Sequence, residues 1–363
     1  MRVMAVLCML GLFGAARAGD DLAKDIDPIA SDVAGYLRGA GMNAVFVDQI
    51  KADRKLKSSG GVGLANAMKK ALEAQGIRVG KTGSKLSLTG NYFSSEDDKP
   101  ELGFELRLVD NRDKTVKEFK SRIKYDVNVA TLSGGTAKIA SDDSPMKRRR
   151  QLKLSLDADP TVSIRKTRIQ SSPDSKYAVE IWVKSGGSDY APRDINDSEG
   201  QAFVRIDKEE IYGVQIINDS DKNAAVTLTV DGINIFSFSE NKDYTYFIVG
   251  PNSRTLIKGW HINNQQSDSF KVTEYAKSAA AELNHQASKD IGMITAVFKA
   301  AWPEGDRIPD DEGGGRTAID QLATGKGPRV DSAFKVVEMH VGMLRDTISC
   351  RYSKGAEVEE REK

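Results

Sequence analysis

Cysteine and histidine are both scarce in these 363 residues, with 2 of the first and 3 of the second. His261, His285 and His340 lie far apart in the chain, and none begins an HxH or HExxH spacing. A local zinc site and a histidine-based catalytic triad therefore have no support in the spacing, and no Gly-x-Ser-x-Gly nucleophile elbow is present. An excess of one charge is missing as well: 53 basic against 52 acidic residues leave a net charge of +1. A nucleic-acid-binding surface needs a strongly basic face, so that class is disfavoured. The chain also lacks a long apolar run, since its longest, Val3 to Phe13, falls short of the roughly 20 residues that a bilayer span requires.

That short run is informative for another reason. Arg2 precedes it, and Ala16-Arg17-Ala18 follows directly before Gly19-Asp20. A basic start, a short apolar core and a small-x-small site predict a removable signal peptide over residues 1–18, with export to the periplasm or beyond. Cys8 lies inside the apolar core instead of ending it, so a lipid anchor is not expected. Cleavage removes Cys8 and leaves Cys350 alone, which excludes an internal disulfide. Loss of Arg2 and Arg17 moves the net charge from +1 to −1. Cys350 reads as a small buried hydrophobe in a strand Thr347 to Tyr352 more readily than as a nucleophile or an intermolecular bridge.

From 19 to 130 the pattern is mixed. Leu22, Ile26, Ile29, Val33 and Leu37 recur at helical spacing and stop near Gly39 and Gly41, while Leu64, Ala67, Met68, Ala71 and Leu72 form a second stripe ending at Gly76. Strands are predicted at Ala44 to Ile50, Leu86 to Tyr92, Phe104 to Val109 and Val116 to Val127, with Asp110 to Lys114 as a tight turn. The order predicts a two-layer domain with helices on one sheet face and the other face free. Residues 131–175 read as a linker, with possible short strands at Leu152-Lys-Leu-Ser-Leu and Val162-Ser-Ile. The dense cluster Lys147-Arg148-Arg149-Arg150 reads there as a solvated charge run. From 176 to 353 short alternating strands and turns, Asp231-Gly232 foremost, predict an antiparallel β-sandwich-like domain. Tyr275 to Asn284 reads as a short helix, Pro303 to Pro328 as an exposed loop, and 354–363 as a disordered charged tail. The fold class is therefore α+β.

The run Gly63-Leu-Ala-Asn-Ala-Met-Lys-Lys-Ala-Leu-Glu-Ala-Gln-Gly-Ile-Arg-Val, followed by Leu86-Ser-Leu-Thr-Gly-Asn-Tyr and Leu106-Arg-Leu-Val-Asp-Asn-Arg-Asp-Lys-Thr-Val, resembles the small α/β domain of penicillin-binding-protein activator lipoproteins and their curli-secretion and flagellar envelope relatives. That resemblance covers about a third of the chain and implies a non-enzymatic domain that binds another envelope protein. Leu228-Thr-Val-Asp-Gly-Ile-Asn, Lys258-Gly-Trp-His and Ile348-Ser-Cys-Arg-Tyr resemble a β-rich module of uncharacterised secreted bacterial proteins, which brings no activity with it.

Gly61-Val-Gly63 opens a helix but lacks the third glycine of a dinucleotide fingerprint. The richest polar constellation is Trp260, His261, Asn263, Asn264 and Asp268, where an aromatic face for a sugar ring and amides for its hydroxyls would suit a glycan. The same residues also fit a tryptophan that plugs the sandwich and asparagines that shape a turn. The two readings part on whether the indole lies in a groove with Asn263, Asn264 and Asp268. Asp207, Glu209, Glu210, Asp231 and Asp243 supply carboxylates for a hydrolase only if the fold brings two together. The expectation is an exported, non-enzymatic envelope protein that binds a protein partner through its N-terminal domain, with the β domain as scaffold or second surface. It needs no cofactor, metal, nucleic acid or stable membrane anchor. A carbohydrate-binding or carbohydrate-active protein built on Trp260 and His261 is the alternative.

Overall fold

The computed structural model describes residues 20–354 apart from 54–55, 57–60, 96–98, 141–142, 158–161, 186–188, 199–200, 242, 274–291, 304, 310–318 and 327–333. The segment read as a signal peptide, the helix expected at Tyr275 to Asn284, and the charged tail beyond Lys354 lie outside the described residues.

The N-terminal region is built as its periodicity predicts. Helix α1, Asp20–Gly39, buries Ile26, Ile29, Val33 and Leu37, and helix α2, Gly61–Ala74, buries Leu64, Met68, Ala71 and Leu72. Both cover one face of a sheet of β1 Ala44–Ala52, β2 Arg78–Val79, β3 Ser87–Ser94, β4 Glu101–Val109 and β5 Thr115–Lys124. The strand order is β2-β1-β3-β4-β5, parallel where β1 meets β2 and β3, and antiparallel from β3 to β5. Asp110 Oδ1 accepts from the N–H groups of Arg112 at 2.9 Å and Lys114 at 3.0 Å, which folds the β4–β5 turn. The far face stays polar: Glu105, Arg107, Glu118 and Lys120 are exposed, with Lys120 Nζ donating to Glu105 at 2.8 Å.

Two short elements depart from the sequence reading. The two-residue strand β2 extends the sheet at one edge. Val127, expected at the end of a strand, instead opens helix α3, Val127–Ser133, because Asp126 caps the N–H groups of Asn128 and Val129.

The stretch 131–175 is a packed junction. Leu152-Lys-Leu-Ser-Leu, read as a possible strand, lies in helix α4, Pro145–Asp157. Ser144 accepts from Lys147 N–H at 3.3 Å, and proline stands in the first helical position, so a cap and a pre-set φ start the helix where alternation had suggested a strand. Ser163–Arg165 is a strand, as expected. Ala137–Lys138 pairs with Asp346 and Thr347, which ties the junction to the far end of the chain.

The C-terminal region is a β-sandwich. One sheet is ordered Gly259–Asn263, Gln266–Lys271, Ile211–Asn218, Tyr177–Lys184, Arg168–Gln170, Ser163–Arg165. The other is ordered Asn196–Ser198, Gln201–Ile206, Phe334–Lys354, Met293–Pro303, Asn223–Val230, Phe247–Val249, Ile319–Lys326. Val179, Ile181, Val214 and Ile216 of the first face Val204, Leu228, Phe298 and Ile348 of the second across one core. Pairing is antiparallel except that Gln201–Ile206 runs parallel to Phe334–Lys354, and Phe247–Val249 parallel to Ile319–Lys326. Ile319–Lys326 falls inside the stretch expected as a loop; its pairing with Phe334–Lys354 makes it a strand. At Asp231-Gly232 both φ angles are positive, 55° and 73°, as a two-residue hairpin turn demands. Cys350 is buried in this core, which pushes its thiol far up, so it packs as a hydrophobe.

Candidate functional site

The end of α2 shapes an open concavity of the N-terminal region. Gly76, at φ 78°, turns the chain out of the helix, and Ile77 N–H donates back to Leu72 O at 3.0 Å. Buried Ile77 then pins the chain against the core, so that Arg78 and Val79 can align beside Ala44 and Val45. A second turn follows, held by Ser84 Oγ donating to Gly80 O at 2.5 Å. The two turns frame a groove of about 760 Å³ lined by Phe46, Glu73, Ile77, Arg78, Lys81 and Thr82 among others.

Its chemistry is mixed apolar and cationic. Lys81 Nζ sits 5.0 Å from the centre of the Phe46 ring, a cation–π contact that holds the ammonium over the groove wall. Arg78 Nη2 donates to Asn43 Oδ1 at 3.1 Å, and Arg38 Nη1 donates to Gln75 O at 2.9 Å close by. Glu73 is the one carboxylate in the lining. Beside the groove, β2 bonds to β1 through Arg78 N–H to Asn43 O at 2.9 Å and Gly80 N–H to Val45 O at 3.1 Å. Peptide groups alternate along a strand, so the Val79 N–H and C=O point off the sheet, and among the described residues no strand pairs with that side.

The five residues singled out from sequence are close in space but do not form one site. Trp260 and His261 are neighbours on Gly259–Asn263 and face opposite ways. His261 is fully buried between the rings of Phe236, at 5.0 Å, and Tyr244, at 5.5 Å, with Nδ1 3.2 Å from Ser239 Oγ. Burial moves its pKa below the usual imidazole value. Among the residues proposed for ligand contact, His261 is placed in the core with no exposed surface in this structure. Trp260 is half-buried, with its indole edge-on to Phe238 and Phe270, each at 5.3 Å. Asn263 Nδ2 donates to Glu240 at 3.3 Å while its Oδ1 accepts from Gln265 N–H at 3.1 Å, and Asn264 Nδ2 donates to Tyr244 Oη at 3.4 Å. Asn263 thus shapes the turn, and both amides tie it to Glu240 and Tyr244. Asp268, across the ladder from Trp260, is exposed.

Four of the five candidate carboxylates are likewise committed elsewhere. Arg193 holds Glu210 in a two-pronged pair at 2.7 and 3.0 Å, and these donors bring its pKa down to about 2 against the opposing effect of burial. Asp231 accepts from Gly292 N–H at 2.6 Å, Met293 N–H at 3.0 Å and Tyr352 Oη at 2.9 Å. Glu209 pairs with Lys271, and Asp207 with Arg205 at 3.0 Å. Among the described residues, no group of three or more His, Cys, Asp and Glu side chains is placed to hold a metal ion, and no helix is long and apolar enough to cross a membrane. The groove beside β2 escaped the sequence reading. Its one legible signal was Gly76-Ile77-Arg78-Val79-Gly80, a helix stop followed at once by a short β-branched run between glycines.

Comparison with known proteins finds no family model and no curated protein that the chain matches.

Proposed function

We propose that this is an exported, non-enzymatic protein of the bacterial cell envelope that binds a protein partner through the groove and open edge at β2, with the sandwich as scaffold. The observation that carries the reading is the pairing of an unpaired strand edge with an adjacent apolar and cationic groove. An extended segment laid along β2 gains backbone hydrogen bonds from Val79, while alternate side chains enter the groove. Arg78 and Lys81 favour a segment that carries acidic residues. Export rests on the N-terminal basic, apolar and small-x-small pattern.

The test uses a photoreactive residue in place of Thr82 in the full chain, in envelope extracts, against a control at Ile308. Ile308 is exposed and belongs to the C-terminal region. A partner captured from position 82 and not from 308 is expected. Val79→Pro should reduce that capture at least about tenfold, because it removes the outward N–H and proline is tolerated at a free edge. Equal capture from both positions, or capture indifferent to Val79→Pro, would sink the reading.

A further inference from the structure

Helix α4 carries Lys147, Arg148, Arg149, Arg150 and Lys153 against one carboxylate, Asp157. Its inner side is set by Leu152 and Ser155, both buried, and by Arg148, whose Nε donates to Asp143 O and whose Nη1 meets Met343 Sδ, each at 2.7 Å. The opposite side follows from helical spacing: Met146, Arg150 and Leu154 lie one above the other, four residues apart. All three are exposed, Met146 at 55% and Leu154 at 53%. The described residues contain four exposed large hydrophobic side chains, and two of them stand on this one ridge.

Helix stability does not account for the charges. The first turn of α4 has no acidic residue, and cations there oppose the helix dipole. Asp143, just before the helix, pairs with Lys147 and offsets part of this cost. Arg149 is half-buried and acts on the Asp126 carboxylate, whereas Arg150 stands exposed beyond that pair. Arg150, exposed between Met146 and Leu154 and flanked by Lys147 and Lys153 at helical spacing, gives this ridge a cationic and apolar character that suits an occupant that is anionic and can receive apolar groups. An anionic bilayer surface does both: headgroups attract the cations, and Met146 and Leu154, about 12 Å apart along the axis, can enter the interface side by side. The ridge is convex, which suits a flat deformable surface better than the concave seat a protein segment needs.

We infer that the outer face of α4 is a reversible docking surface for anionic phospholipid membranes. The contact is peripheral; a few charges and two apolar side chains give salt-sensitive adsorption and no permanent anchor.

The test is cosedimentation of the full chain lacking residues 1–18 with vesicles of phosphatidylglycerol and phosphatidylcholine in equal parts, against phosphatidylcholine alone. Binding to the anionic vesicles only is expected, falling steeply between about 0.05 and about 0.5 M salt. Arg149→Glu with Arg150→Glu should lower the partition coefficient about 100-fold or more, and Met146→Ser with Leu154→Ser about tenfold. Arg150→Glu alone, at an exposed position, keeps the test open if the double variant does not fold, as judged by circular dichroism. No binding to anionic vesicles, equal binding to neutral ones, or binding unchanged by Arg150→Glu would each overturn the inference. Binding to polyglutamate in place of vesicles would overturn it in favour of an acidic protein. Because α4 and β2 are separate surfaces, Val79→Pro should leave vesicle binding intact.

Discussion

At the scale of single residues, the most consequential side chain outside the groove is Asp346. It lies buried on Phe334–Lys354, accepting from Ser171 Oγ at 2.7 Å and Ser175 Oγ at 2.6 Å. Burial raises its pKa from 3.8 to about 7, and the two hydroxyls and Lys138 only partly oppose the rise. The folded chain therefore keeps a proton that the unfolded chain releases. The associated stability is fully present below about pH 4 and is lost as pH rises to about 7, a span worth at most about 4 kcal/mol. Urea unfolding should show this decline in the parent, whereas Asp346→Asn should flatten it and be the more stable above pH 7. An unchanged pH profile in the variant would refute the assignment. Gly90 is a second such position, for a steric reason. A Cβ there would lie 2.1 Å from the carbonyl oxygen of Glu105 on the next strand. Gly90→Ala should cost on the order of 3 kcal/mol in unfolding free energy, and a cost near zero would show that the β3–β4 ladder yields.

At the scale of elements, α4 shows where sequence pattern and structure part. Leu152, Leu154 and Leu156 alternate and suggest one face of a strand, but on a helix Leu152 and Leu154 point apart. Leu152 belongs to the N-terminal core and Leu154 is exposed. The contrast is measurable: Leu152→Ala should lose about 2–4 kcal/mol and Leu154→Ala almost none, where a strand would make the two losses alike. The stripes of α1 and α2 were legible because each buries a long run of one helix face, so periodicity carries the signal. The helical state of α4 rests on a local cap and on contacts made far away in sequence, such as Arg148 with Met343, which no window of neighbouring residues contains. The groove follows the same logic. Gly76 announces the helix stop, but the alignment of Arg78 and Val79 with Ala44 and Val45 is a long-range pairing. In the Trp260 constellation, strand alternation sends His261 into the core and leaves Asp268, across the ladder from Trp260, outside.

At the scale of the whole molecule, the strand Met293–Pro303 belongs to both cores. Val297 belongs to the hydrophobic cluster of the N-terminal region, while its neighbour Phe298 packs inside the sandwich. Leu344 of the longest strand joins the N-terminal core as well. Polar contacts reinforce the same seam: Thr229 Oγ1 donates to Thr131 O at 3.0 Å, and Thr347 Oγ1 donates to Gly135 O at 2.9 Å. Neither region can lose its core without exposing apolar surface of the other, so unfolding should be shared. Calorimetry should record one cooperative transition. Leu344→Ala, a truncation worth about 2–5 kcal/mol, should lower the midpoint reported by probes in either region equally. Two resolved transitions, with only the N-terminal one shifted by Leu344→Ala, would show that the seam is a surface contact. Under the function proposed above, a single transition would mean that a partner bound at the β2 groove acts on one cooperative unit, and the β-rich region would serve as scaffold in that sense.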